Sequence, residues 1–128
     1  MSNRVLFSAV QGQVVLQGKP VAGAVVERQF EWNNATVSDR VNSGDDGRFA
    51  FAAVVRKSSF MDRLLPSEPM VKQTIVILHE GKSHKAWHHF KRNYDDNGEL
   101  GGRAIRMVCP LEREPERRGE VFGICELN

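Results

Sequence analysis

Four histidines, two cysteines and a single tyrosine stand out as residues able to bind a metal, attack a substrate or move a proton. The histidines are grouped: His79, His84, His88 and His89. On a helix, the i, i+4 spacing of His84 and His88 would stack two imidazoles on one face, a zinc-binding geometry. The surrounding residues alternate as in a strand, so His84, Ala86 and His88 face one way and Lys85, Trp87 and His89 the other. That leaves His84 and His88 as candidate metal ligands with no third ligand nearby, since Cys109 and Cys125 lie far along the chain. Three or four convergent ligands are needed for a site, so a solvated strand face is the favoured reading and no metal or cofactor is expected.

The same region interleaves Lys85, Trp87, Phe90, Lys91 and Arg92, a pattern able to stack bases and neutralise phosphates. With 27% charged residues the formal net charge is only +2, which gives no strong field for nucleic acid or an anionic membrane. No apolar run reaches transmembrane length. Cys109 and Cys125 would oppose each other if their strands formed a hairpin centred on Arg117, so a disulfide is geometrically open. Met1 to Ser8 lacks the apolar core of a secretory signal, so the chain reads as cytoplasmic and its thiols as reduced. No Gly-rich phosphate loop, nucleophile elbow or Ser-His-Asp spacing occurs, and no catalytic residue is assigned.

These residues sit on a pattern of strands. Residues 1–128 read as one domain, 41% hydrophobic and long enough for a sizeable core. Arg4–Val10 and Gln13–Gln17 form one strand, or two joined by a bulge at Gly12, with Gly18-Lys19-Pro20 as a turn. Val25–Trp32 and Thr36–Val41 flank an Asn33-Asn34 turn, and Arg28 is expected near a rim. Asp45-Asp46-Gly47 turns the chain into Arg48–Val54, with Phe49 and Phe51 on one face. Lys72–His79, Ser83–Lys91, Arg103–Cys109 and Glu120–Cys125 complete the strands, and Pro110–Gly119 reads as a polar hairpin tip. The expected core holds Val14, Leu16, Val26, Phe49, Phe51, Ile75, Ile77 and Trp87.

The run Gly12-x-Val14 to Gly18-x-Pro20-Val21-x-Gly23-Ala24-x-Val26, with Asp46-Gly47-x-Phe49-x-Phe51, resembles the carboxypeptidase regulatory-like, transthyretin-like (prealbumin-like) domains. Lys91-Arg92-Asn93-Tyr94, Asn97-Gly98-Glu99-Leu100 and Gly123-Ile124-Cys125-Glu126-Leu127 are similar to the small bacterial family DUF6795. The resemblance implies a seven- to eight-stranded antiparallel Greek-key β-sandwich used for binding, without a family-wide active site. Transthyretin-like hydrolases end in a Tyr-Arg-Gly-Ser tail, where this chain has Cys125-Glu126-Leu127-Asn128; related dioxygenases hold iron through two tyrosines, where it has Tyr94 alone. Genes of such families often adjoin those of bacterial secretion-system effectors. The implied role is therefore an immunity (antitoxin-like) protein or an adaptor for a secreted toxin or effector.

One segment breaks the strand rhythm. Arg56–Pro66 is the only helical candidate, with Ser59 to cap it and Pro66 to stop it. Phe60, Met61, Arg63 and Met70 in this excursion are the expected partner-binding residues, being of types enriched at interface cores. Leu64 and Leu65 there are expected to plug one end of the sandwich. The alternative function is a small-ligand or metal binder using the His84–His89 region.

Overall fold

The computed structural model describes residues 3–57 and 70–128, and within them the chain is almost entirely strand. Strand β1 (Asn3–Phe7) leads to β2 (Val10–Leu16), the short β3 (Lys19–Pro20), β4 (Val25–Trp32) and β5 (Ala35–Asn42). Next come β6 (Arg48–Phe51) and β7 (Val54–Lys57). From Met70 the chain continues as β8 (Val71–His79), β9 (Lys82–Lys91), a 3-10 turn at Gly98–Leu100 and β10 (Ile105–Pro110). The last strands are β11 (Glu116–Arg118), β12 (Val121–Gly123) and β13 (Glu126–Leu127). The expected helix begins inside β7, where Arg56 and Lys57 pair with Arg4 and Asn3; its remainder lies outside the described residues, with Phe60, Met61, Arg63, Leu64 and Leu65.

Six strands in the order β11-β12-β9-β8-β4-β5 make one sheet. A second sheet runs β13-β10-β2-β3, with β6 also on β2, and β1 with β7 forms a ribbon. All three contribute to one core, as in a β-sandwich: Val26, Phe30, Ile75, Ile77 and Trp87 from the first, Val14, Phe49, Phe51, Ile105 and Met107 from the second, Leu6 and Phe7 from the ribbon. Strand β4 shows why. Val26, Arg28, Phe30 and Trp32 alternate with more exposed neighbours, so burying one face buries every second side chain. The Asn33-Asn34 turn has both residues at positive φ, 51° and 63°, as a two-residue hairpin with the right-handed strand twist requires.

Several expectations are corrected. The sheets are not wholly antiparallel, because β2 and β10 run parallel, from Val10 opposite Ile105 to Val15 opposite Pro110. A parallel pair needs a long crossover, and most of the chain lies between these two strands; period-two patterning looks the same in either direction. The strand break falls at Ser8-Ala9 rather than at Gly12, since the Ser8 amide donates to Glu99 Oε2 instead of to a ladder. Leu16 is 38% exposed despite sharing its side of β2 with Val14, because β2 ends there, paired only with Lys19 in the short β3. The turn before it is Gln17-Gly18, both at positive φ, and Lys19-Pro20 is already strand. Thirteen strands appear among the described residues instead of seven or eight, since β3, β11, β12 and β13 are two- or three-residue segments.

Arg28 is not at a rim. It is 3% exposed, with its guanidinium 4.6 Å from the Phe51 ring centroid and 5.2 Å from that of Phe7. Asp39 on β5 accepts from its Nε and Nη2, and the Ala52 carbonyl accepts from Nη1, so the core cation is neutralised and hydrogen-bonded.

The cysteines are joined in a Cys109–Cys125 disulfide, with Cα atoms 4.0 Å apart. The expected hairpin does not form, because β12 pairs with β9 and β11 in the other sheet. The register is nevertheless the one expected: β13 pairs with β10 through Met107–Leu127 and Val108–Glu126, which sets Cys125 against Cys109. Reduced thiols, the sequence expectation, give way to a staple at the point where the chain crosses between sheets.

Candidate functional site

Lys57 and Met70, the described residues on either side of 58–69, lie by one end of the six-stranded sheet. There Trp32 closes β4, Val71 opens β8 opposite Lys91, and Lys57 closes β7 opposite Asn3. The flanking residues form a ladder of rings and cations. The Arg56 guanidinium lies 5.5 Å from the Trp32 ring centroid, and Arg4 lies 4.7 Å from that of Tyr94. Trp32 and Tyr94 meet edge to face at 6.3 Å, and the indole Nε1 donates to the Tyr94 hydroxyl at 3.1 Å. Arg4 and Arg56 are direct cross-strand partners, so the β1–β7 ribbon presents both cations on one side. Met70 is 49% exposed, and its sulfur receives Arg92 Nη1 at 3.6 Å.

Beneath this end lies a buried polar network. Lys91 and Glu99 side chains are both fully buried, with Nζ to Oε1 at 3.4 Å. Lys91 Nζ also donates to the carbonyls of Val5 (2.9 Å) and Asp95 (2.6 Å). Glu99 accepts from the Ser8 hydroxyl (2.6 Å), the Ser8 amide (2.9 Å) and Gln73 Nε2 (2.8 Å). Gln73 in turn donates to the Leu6 carbonyl and accepts from Trp87 Nε1, and the Asn97 amide donates to Ser8 Oγ. Burial pushes the Glu99 carboxyl up, but the Ser8 hydroxyl and amide, Gln73 and Lys91 outweigh it and hold it below the usual carboxylate range. Burial pushes the Lys91 ammonium down, and Glu99 offsets this only in part. Every member is satisfied, so the network fixes geometry and leaves no free nucleophile.

The loop after β9 is built to deliver Glu99 inward. Asn93 Nδ2 donates to the Gly98 carbonyl while its Oδ1 accepts from the Asp95 amide. A Cβ at Gly98 would collide with Asn93 Oδ1, so a side chain there would push Asn93 out of these two hydrogen bonds. Ser8, Gln73 and Glu99 went unassigned in the sequence and Lys91 was read only as part of a basic stretch, although Gln73 takes an inward position of the otherwise apolar run Val71, Ile75 and Ile77. That polar-for-apolar exchange was its signal.

The histidine pair does not survive. Strand β9 carries a bulge: Val76 opposes Lys85 and Ile75 opposes Trp87, leaving Ala86 unpaired. His84 therefore shares the side of buried Ile77, and His88 lies opposite Thr74 on the solvent side. Both imidazoles are held below the usual histidine range, by burial first and then by neighbouring cations, Lys82 for His84 and Lys85 for His88. His89 is buried, with Nδ1 at 2.9 Å from the Glu120 carbonyl. Among the described residues no group of three His, Cys, Asp or Glu side chains converges on a metal position. Among them also, no helix is long and apolar enough to cross a membrane.

The family model that matches is described as Domain of unknown function (DUF6795) and covers residues 10–114, which include Gln73, Lys91 and Glu99. No curated protein and no solved structure matches the chain.

Proposed function

We propose that this chain, a member of the DUF6795 family, is a non-catalytic protein-interaction module whose partner docks on the end of the domain that bears residues 56–70. The partner in this reading is a bacterial secretion-system effector or toxin, the chain acting as its immunity protein or adaptor. Its sheets are read as the Greek-key, transthyretin-like sandwich of the resembled domains, with the parallel β2–β10 pair as a variation. One observation carries the docking site. The described roots of the excursion gather a half-exposed methionine, two arginines stacked on aromatic rings and a further arginine on one rigid end. Aromatic, methionine and arginine side chains supply most hot-spot energy at interfaces, and holding them in place beforehand lowers the entropy cost of docking.

Lys91 and Glu99 give that end its rigidity. Their network ties β1, β8, β9 and the 3-10 turn together, and no member of it is offered to a substrate. The metal-binding alternative gains nothing from the geometry, since the β9 bulge parts His84 from His88. The disulfide favours an oxidising compartment over the cytoplasm, because such bonds persist where thiols are not continually reduced.

The test is co-purification with the products of adjoining genes, followed by titration of variants. Phe60→Ser with Met61→Ser, and separately Arg56→Ser with Met70→Ser, are expected to leave melting nearly unchanged. Each should weaken binding by about 2 kcal/mol or more if those residues are hot spots. A pair that melts much earlier yet binds at full strength would place the surface elsewhere.

A further inference from the structure

The outer face of the second sheet carries a depression lined by Gln11, Gln13, Arg48, Ala50, Arg106 and Val108 among others, none of them in the cluster of Arg4, Trp32, Arg56, Met70 and Tyr94. Its construction follows from the pleat. Gln11 opposes Ala50 and Gln13 opposes Arg48 across β2 and β6, while Arg106 and Val108 flank the same two glutamines from β10. Ala50 is a short floor between long polar side chains. Arg48 and Arg106 are two strand spacings and two residues apart, so their Cα atoms are separated by about 12 Å. Among the described residues Arg106 makes no ion pair. Arg48 has only a loose one, 3.7 Å from Asp46 between two largely exposed side chains. On β13, beside β10, Glu126 is engaged by Arg113, and Asn128, whose amide donates to the Arg106 carbonyl, also lines the depression. Gln13 Nε2 donates to the Asp46 carbonyl, which leaves its Oε1 free of a protein donor among the described residues.

We infer that this face binds an extended acidic segment of a protein partner, with carboxylates of alternate residues on Arg48 and Arg106 and its backbone on the glutamine amides. Side chains on one face of an extended peptide repeat at about 7 Å, so two guanidiniums about 12 Å apart at their roots straddle such a pair from either side. Guanidinium forks donate bidentately to carboxylates, and the unengaged side-chain amide of Gln11 and the acceptor oxygen of Gln13 suit peptide groups. Small dicarboxylates share the carboxylate chemistry but lack the backbone.

The probe is a fluorescein-labelled hexapeptide of alternating glutamate and alanine, titrated by fluorescence polarisation at low ionic strength. Saturable binding is expected, weakening by about tenfold in Arg48→Glu and in Arg106→Glu and lost in the double variant. Lys82→Glu, an equal charge change at the far end of β9, is expected to leave binding unchanged. Backbone amide NMR shifts on adding the peptide to the unaltered protein are expected at Gln11, Gln13 and Ala50, a readout that needs no variant. Equal binding of a glutamine-alanine hexapeptide, unchanged affinity in both arginine variants, or glutarate competing as tightly as the peptide would each overturn the inference. This face and the residue 56–70 end are separate, so the failure of one assignment leaves the other standing.

Discussion

Glu99→Gln is the most informative single change, because it removes one buried charge while keeping shape. Glu99 Oε1 meets the Ser8 hydroxyl and Lys91 Nζ, and Oε2 meets the Ser8 amide and Gln73 Nε2. An amide oxygen in the Oε2 position keeps the latter two contacts. The new NH2 faces the Lys91 ammonium, which keeps only the Val5 and Asp95 carbonyls. Stranding one member of a buried pair costs about 3–5 kcal/mol. For a chain of this size that lowers the melting temperature by roughly 10–15 °C. Removing the second charge as well, in Lys91→Met with Glu99→Gln, relieves the stranded cation and leaves mainly two unmet carbonyls, about 1 kcal/mol each. The double variant is thus expected to be more stable than Glu99→Gln alone. Urea denaturation at pH 7 of the unaltered protein, Glu99→Gln, Lys91→Met and the double variant measures the coupling directly. A Glu99→Gln cost under about 1 kcal/mol, or strict additivity in the double variant, would refute a buried ion pair as the keystone of this end. The pH dependence has a definite sign. Glu99 titrates in the folded state below its ordinary value of 4.5, so its contribution is complete above that pH and is lost as pH falls through the folded value. Lys91 is also held below its ordinary value of 10.5, so its charge costs stability at neutral pH, and that cost lessens as pH rises towards 10.5. Glu99→Gln should flatten the acid limb and, by removing the charge that offsets burial at Lys91, steepen the gain in stability at alkaline pH.

Reducing the Cys109–Cys125 bridge, which closes a loop of 16 residues, is expected to cost about 3 kcal/mol and roughly 10 °C of melting temperature. A Cys109→Ser, Cys125→Ser variant that still responds to reductant would contradict that cause. Phe51→Ala should cost about 3–5 kcal/mol, since it opens a cavity in the core and strips a ring from the face of buried Arg28. A loss below about 1 kcal/mol in denaturant melts would mean that the inter-sheet core is not packed around Phe51. Zinc added in slight excess is expected to leave melting unchanged in the unaltered protein and in His84→Ala alike; a shift abolished by His84→Ala would restore the histidine site.

The sequence alone determined what depends on near neighbours. Alternation placed Val26, Phe49, Phe51, Ile75, Ile77 and Trp87 in the core, and Asn33-Asn34 and Asp45-Asp46-Gly47 in turns, because pleat and turn dihedrals are local properties. The tertiary structure decided whatever depends on parity or on a distant partner. One unpaired residue, Ala86, reverses which side of β9 faces the core, and its cause lies far along the chain. Gly123 of β12 is set so close to the Ala86 carbonyl that any side chain there would collide with it, and the Ile124 amide donates to Lys85. Arg28 looked like a rim residue until Asp39 and two aromatic rings from other strands made burial tolerable. Ser8 and Glu99, 91 positions apart, meet only because the β1–β2 break and the Asn93–Gly98 loop aim both inward. The cysteine register was legible because its arithmetic is that of an antiparallel pair, whereas the bond itself came from β13 joining β10. A period-two pattern records which side chains seek the core, and long-range packing settles which of them reach it and what they meet there.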